Sequence, residues 1–356
     1  IYLAAAFAIV MTIGFEALNE PILRLMNSPE DLMGSVKGYM GIIYAGLIVT
    51  AAYNSLAAFL RALGDSKSPL YFLIISAVIN VFLDILFIVK IGMGVEGCAY
   101  ATVIAQAISA VCCLIYIIKK FPILHLKKEN FEVSFTSFRY LLALGIPMGL
   151  QFSITAIGSI MLQSANNALG TACVAAFTAA MRIKMFVMCP LDSLGMAMAT
   201  YSGQNYGAGK PDRIWAGIKS AALMMVVYSL AVALVIWLAA EKFALLFISP
   251  DETEIIADTA LFLHINVSFF ILLGSLSILR YSIQGAGYTK LAMFSGVSEM
   301  VARVLVSVVV VPLWGFWGVC FGDPTAWLFA NLFLVPAFIY VYRRLHLIVA
   351  KERVLS

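Results

Sequence analysis

The sequence predicts an all-α polytopic membrane protein of two lobes related by a parallel repeat, and three observations lead there. Hydrophobic residues make up 63% of the 356 and charged residues 12%, whereas a soluble globular chain carries roughly 45–50% and about 25%. The apolar residues gather into ten runs suited to a bilayer core, which needs about 20 residues per helix. Three signposts then recur at a nearly constant offset. Ser28-Pro29-Glu30 returns as Ser249-Pro250-Asp251, and Gly94-Val95-Glu96-Gly97 as Gly315-Phe316-Trp317-Gly318, both shifted by 221. Gly64 with Lys67 returns as Gly287 with Lys290, shifted by 223.

The runs lie near 1–18, 38–60, 70–89, 95–118, 139–163, 171–200, 217–240, 257–284, 291–311 and 314–342. The first four form the first lobe, residues 1–119. A polar stretch over 120–137 links the lobes and has room for a short amphipathic piece. The last six runs form the second lobe, 138–344, and a basic tail follows over 345–356. Strand-like alternation is absent, and runs such as Ala221–Ala240 can satisfy their backbone in a bilayer only as helices. About 110 residues of the second copy precede its Ser-Pro signpost, against 27 in the first. The chain also opens on Ile1, so it is expected to be a fragment holding ten of twelve spans, with a helix pair upstream.

Basic residues orient the spans. One set of loops and the tail hold Arg61, Lys67, Lys119, Lys120, Lys127, Lys128, Arg139, Lys210, Arg213, Lys219, Lys290, Arg343, Arg344, Lys351 and Arg353; the opposite side holds Arg24, Lys37, Lys90 and Lys242. The excess places the first set, with the carboxyl terminus, in the cytoplasm. A bacterial-type cytoplasmic membrane is the expected location. The net charge of +4 belongs to those loops, not to a nucleic-acid surface. The six cysteines fall in or beside spans without metal-type spacing and read as packing residues. No HExxH, GxSxG or Walker A motif is present, so neither an enzyme nor a nucleotide-driven pump is expected, and no cofactor.

Ionisable groups inside spans are costly and point to function. Asn80 and Asp84 are four apart and share a helix face. Asp84 lies nine residues before the turn at Met93 and Thr102 nine after it, so both sit roughly 13 Å into a core of about 30 Å. A carboxylate, an amide oxygen and a hydroxyl there suit a proton or a hard monovalent cation; the bland reading is a buried hydrogen-bonded knot. Under the repeat, Asn80, Asp84 and Thr102 become Arg303, Ser307 and Asp323. With Glu299 four residues before Arg303, the second lobe gains a set of Glu299, Arg303 and Asp323, read as an ion pair or cavity group with one acid in surplus. The sixth span carries Arg182, Lys184 and Asp192 around Pro190, candidates for a substrate path along a bent helix. Methionines crowd the same span (Met181, Met185, Met188, Met196, Met198), more often packing than a drug site. It closes on Gly203-Gln204-Asn205-Tyr206-Gly207-Ala208-Gly209-Lys210, a tight cytoplasmic turn.

That closing segment, the Asn80-x-x-x-Asp84 helix followed by Gly94-Val95-x-Gly97, the Glu299-x-x-x-Arg303 pair and Ala326-Trp327 together resemble the multidrug and toxic compound extrusion (MATE) family of secondary transporters. The resemblance covers the whole chain as helices three to twelve. It implies two six-helix lobes around a central cavity, exporting organic compounds in exchange for H⁺ or Na⁺, with a small-molecule substrate, lipid contacts and a monomeric state. In one branch the coupling site joins a first-helix aspartate to Asn, Asp and Thr, which match Asn80, Asp84 and Thr102. Other branches place carboxylates on the seventh and tenth helices. The spans in those places, 139–163 and 257–284, hold none beyond Asp258 at the edge of the latter, which favours the amino lobe. The alternative is a flippase for lipid-linked precursors, whose cavity would call on Arg182, Lys184, Arg280 and Arg303. A non-transporting membrane scaffold would need no carboxylate at the midplane.

Overall fold

A computed structural model describes residues 2–25, 30–124 and 134–355. Among them nine helices are long and apolar enough to cross a membrane, and a bent helix pair brings the number to ten. The chain divides into two compact units, Ile1–Phe138 and Arg139–Ser356. The first Ser-Pro signpost and the middle of the inter-lobe stretch, residues 125–133, lie outside the described residues.

The first unit contains α1 (Tyr2–Leu25), α2 (Glu30–Ala45), α3 (Leu47–Ala62), α4 (Lys67–Asp84) and α5 (Gly94–Lys120). Helix α5 is central, packing against α2, α3 and α4. Two side-chain bonds lace α4 to α5: Ser76 Oγ donates to the Ala105 carbonyl (2.6 Å) and Ser109 Oγ to the Phe72 carbonyl (2.8 Å). Leu60, Cys113 and Ile117 form its small apolar core, flanked by Tyr53, Leu56, Phe72 and Tyr116. Between α3 and α4, Asp65 caps the start of α4. Its carboxylate accepts from the Ser68 N–H (3.0 Å), the Ser68 hydroxyl (2.7 Å) and the Tyr116 hydroxyl (3.0 Å).

The second unit holds α6 (Phe135–Asn167), which starts just before the division, α7 (Thr171–Gly207), α8 (Pro211–Ala244), α9 (Thr253–Ser268), α10 (Phe270–Gly285), α11 (Thr289–Leu305), the short α12 (Val311–Trp314) and α13 (Phe316–Cys320), and α14 (Gly322–Leu355). Its core is extensive, with α10 against α7 and α11 against α14. Close approach depends on glycine. A methyl group on Gly285 would lie 2.1 Å from the Ala199 carbonyl oxygen, and one on Gly158 2.9 Å from the Met300 Cα.

The repeat is geometric as well as sequential. Gly64 and Gly287 both take positive φ (90° and 87°), as do Gly94 and Gly315 (60° and 55°), so each pair turns the chain in a way that excludes most side chains. Helix α4 passes into a π-helical segment over Ile85–Lys90, and α11 into one over Val306–Val310, a shift of 221. The span before each copy of the glycine turn is also interrupted at matching places, near Gly46 in the first and at Phe269 in the second, where α9 and α10 meet at 51°. Helix α14 continues to Leu355, because nothing after Pro336 breaks a run of good helix formers.

Two outcomes follow from this packing. Gly285→Ala should destabilise the purified protein by about 1–3 kcal/mol through overpacking, seen as a lower thermal midpoint in detergent. For Asp65, burial pushes the carboxyl up, but the bonds from Ser68, Tyr116 and the Lys67 backbone outweigh it and hold the group below the ordinary Asp range. Its contribution is therefore present at neutral pH and lost as pH falls through the depressed pKa. Asp65→Ala should lower the midpoint at pH 7, by about 1 kcal/mol of capping energy, and leave it little changed in acid below that pKa.

Candidate functional site

In the first unit, Asn80 and Asp84 lie one and two turns beyond Ser76 on the face of α4 that meets α5. Continuing the Phe72–Ser109 and Ser76–Ala105 contacts by one turn brings Asn80 level with Thr102, and a further turn brings Asp84 level with Cys98. Both residues are half-buried. Asn80 Nδ2 and Asp84 Oδ1 are shielded from solvent and have no hydrogen-bond partner among the described residues. Thr102 turns its hydroxyl to the Cys98 carbonyl on its own helix (2.9 Å), so no bond ties it across to Asp84. Leaving a buried polar atom unsatisfied costs about 1–3 kcal/mol, and here it happens twice within one turn. Immediately after Asp84 the helix goes over to π-helical winding, a device often found at functional positions.

The equivalent level of the second unit is filled by charge. Arg303 Nε donates to Asp323 Oδ1 (2.9 Å), and Arg303 Nη1 reaches Glu299 Oε2 (3.5 Å). Lys184 pairs with the other oxygen of Asp323, and Arg280 with the other oxygen of Glu299; Arg280 Nε also donates to Ser295 Oγ (3.0 Å). The result is an alternating series of Lys184, Asp323, Arg303, Glu299 and Arg280, with no side chain more than 11% exposed. Beyond Arg280, within its electrostatic reach and beside Ser277, lies Asp192. The series runs from α7 through α14 and α11 to α10, and Asp192 beyond it lies again on α7.

This corrects the surplus of acid expected from sequence. Glu299, Arg303 and Asp323 come together, but Lys184 and Arg280 join them, so each carboxylate has two cationic partners. The i,i+4 spacing of Glu299 and Arg303 was readable; the other pairs join residues 139, 19 and 20 apart and carry no local pattern. Of the three residues proposed for a substrate path, Lys184 is buried in this series, with its Nζ 5.2 Å from the Phe262 ring centre. Asp192 is half-buried, while Arg182 is exposed, its guanidinium 6.0 Å from the Phe247 ring centre. A cavity of about 610 Å³ opens beside Pro190, lined by residues that include Cys189, Leu194, Met224 and Tyr228. No cluster of His, Cys, Asp or Glu suited to a metal occurs among the described residues.

Helices apolar and long enough for up to ten spans among the described residues, in two repeat copies that each carry ionisable groups within a span, point to a polytopic membrane protein of the transporter class. The MatE family profile matches residues 1–86 and 147–309, and the chain belongs to that family. It is similar to Probable multidrug resistance protein YpnP of Bacillus subtilis, 35% identical over 218 residues covering 59% of this chain and 48% of that one. The chain thus spans about half the length of this relative. It is also similar to Probable multidrug resistance protein YoeA of the same organism, 27% identical over 91% of this chain and 72% of that one. Among solved structures, a MATE crystal structure in the bent conformation has a TM-score of 0.88 at 22% identity, covering 99% of this chain and 78% of that one, which establishes a shared fold.

Asp323→Asn should cost about 3–5 kcal/mol, because it leaves buried cations without their carboxylate. Lys184→Met added to it should recover part of the loss, and a double-mutant cycle on thermal stability would measure that coupling.

Proposed function

We propose that the protein is a secondary antiporter that exports organic, cationic or amphipathic compounds in exchange for H⁺ or Na⁺ through alternating access of its two lobes. Family membership supports export of small molecules. The coupling assignment rests on one observation: among the described residues Asp84 keeps a shielded carboxylate oxygen without a donor, as Asn80 Nδ2 lacks an acceptor, while Glu299 and Asp323 in the second unit are each held by two cations. A carboxylate free of internal cations can take up a proton or a hard cation; one already bracketed by Lys184 and Arg303 cannot do so without breaking buried pairs. Asp84 would carry the coupling ion, with Asn80 and Thr102 as its neighbouring oxygen donors.

The lobes in this reading are 1–119 and 138–344, joined by a cytoplasmic linker over 120–137 and followed by the basic tail at 345–356. The carboxyl terminus lies in the cytoplasm and the protein works as a monomer in the cytoplasmic membrane. A flippase for lipid-linked precursors would need free cations to hold a pyrophosphate. Lys184, Arg280 and Arg303 are already engaged by Asp323 and Glu299, which weighs against it.

Expressed in an efflux-deficient bacterium, the protein should drive ethidium export under an imposed pH or Na⁺ gradient, and the gradient that works names the ion. Asp84→Asn should reduce this flux at least about 10-fold, the scale of one lost interaction of about 1.4 kcal/mol or more. Undiminished gradient-driven flux in that variant would remove Asp84 from the coupling role.

A further inference from the structure

A second cavity of about 510 Å³ lies between α7 and α8, lined by residues that include Ile183, Phe186, Val187, Val232, Phe243 and Phe247. Its lining is apolar throughout: the one polar group, the Tyr228 hydroxyl, donates to the Val187 carbonyl (2.9 Å) and is already satisfied. Several of its walls stand open, with Phe186 82% and Leu246 71% exposed.

Charge marks one end of this groove. Arg182, one turn before Phe186 on α7, sets its guanidinium against Phe247, a lining residue three positions past the last residue of α8. Arg182 therefore lies close to the end of α8, a candidate membrane span, and the groove runs from it back along α8 to Tyr228. Arg182 is exposed and forms no ion pair among the described residues, although Glu241, Asp251, Glu252 and Glu254 are nearby in sequence to the end of α8 and to the turn after it. A cation left unpaired on a membrane helix can reach a lipid phosphate at the interface as its partner.

We propose that this groove is a binding site for an anionic phospholipid of the surrounding bilayer, with one acyl chain against Val232 and Phe186 and the headgroup phosphate on Arg182. A long apolar trough closed at one end by a single guanidinium is complementary to such a lipid in both parts. A cationic transport cargo would instead meet Arg182 with like charge. The site is independent of the coupling assignment at Asp84, and its test needs no transport.

The protein in nanodiscs of equal phosphatidylglycerol and phosphatidylcholine would be released and its retained lipid identified by native mass spectrometry. Phosphatidylglycerol should be retained about 10-fold over phosphatidylcholine, equivalent to about 1.4 kcal/mol. Arg182→Gln should bring the two to parity, whereas Arg182→Lys should keep most of the preference. Ala231→Trp, which fills the groove, should reduce retention of both lipids while Arg182 remains. Equal retention by the unaltered protein, or a preference unmoved by Arg182→Gln, would overturn the proposal. Displacement of the lipid by ethidium would overturn it too, marking the groove as a cargo site, as would retention unaffected by Ala231→Trp in a folded variant.

Discussion

The guanidinium of Arg303 is the group on which the second unit turns. It bridges Glu299 and Asp323, and through them Lys184 and Arg280, so four helices share one buried set of charges. In an apolar environment no member can leave without stranding its partners at a cost of several kcal/mol. The close passages at Gly285 and Gly158 bring the helix backbones near enough for these side chains to meet. Rigidity here is electrostatic as much as steric.

The first unit lacks such a keystone. The repeat relates Asn80 to Arg303 and Thr102 to Asp323, so the same level of the same helix pair holds an internal cation in one copy and none in the other. The second copy supplies its own positive charge; the first leaves that place open. Divergence of two side chains on a shared backbone therefore leaves a bracketed set of charges in one lobe and, among the described residues, an unbracketed Asp84 in the other. The π-helical winding present in both copies belongs to the inherited backbone, not to either side-chain set.

Much of this architecture could be read before any coordinates. Spans announce themselves because the bilayer demands long apolar runs, and the repeat because Gly64, Gly94, Gly287 and Gly315 occupy backbone conformations other residues avoid. Glu299 and Arg303 were visible through helical spacing. The partners Lys184 and Arg280 were not, since nothing local links residues on different helices. The winding change after Asp84 was also hidden, because Ile85–Lys90 reads as an ordinary apolar helix end. So was the reach of α14, which runs on past Arg343 and Arg344 to Leu355.

That last helix has a mechanical meaning. Its 34 residues extend about 51 Å, against a hydrocarbon core of about 30 Å. The helix is thus longer than such a core is thick, and its last turns continue the rod that carries Asp323 at its other end. A tilt of a few degrees at the buried charges would become a displacement of ångströms at the far tip.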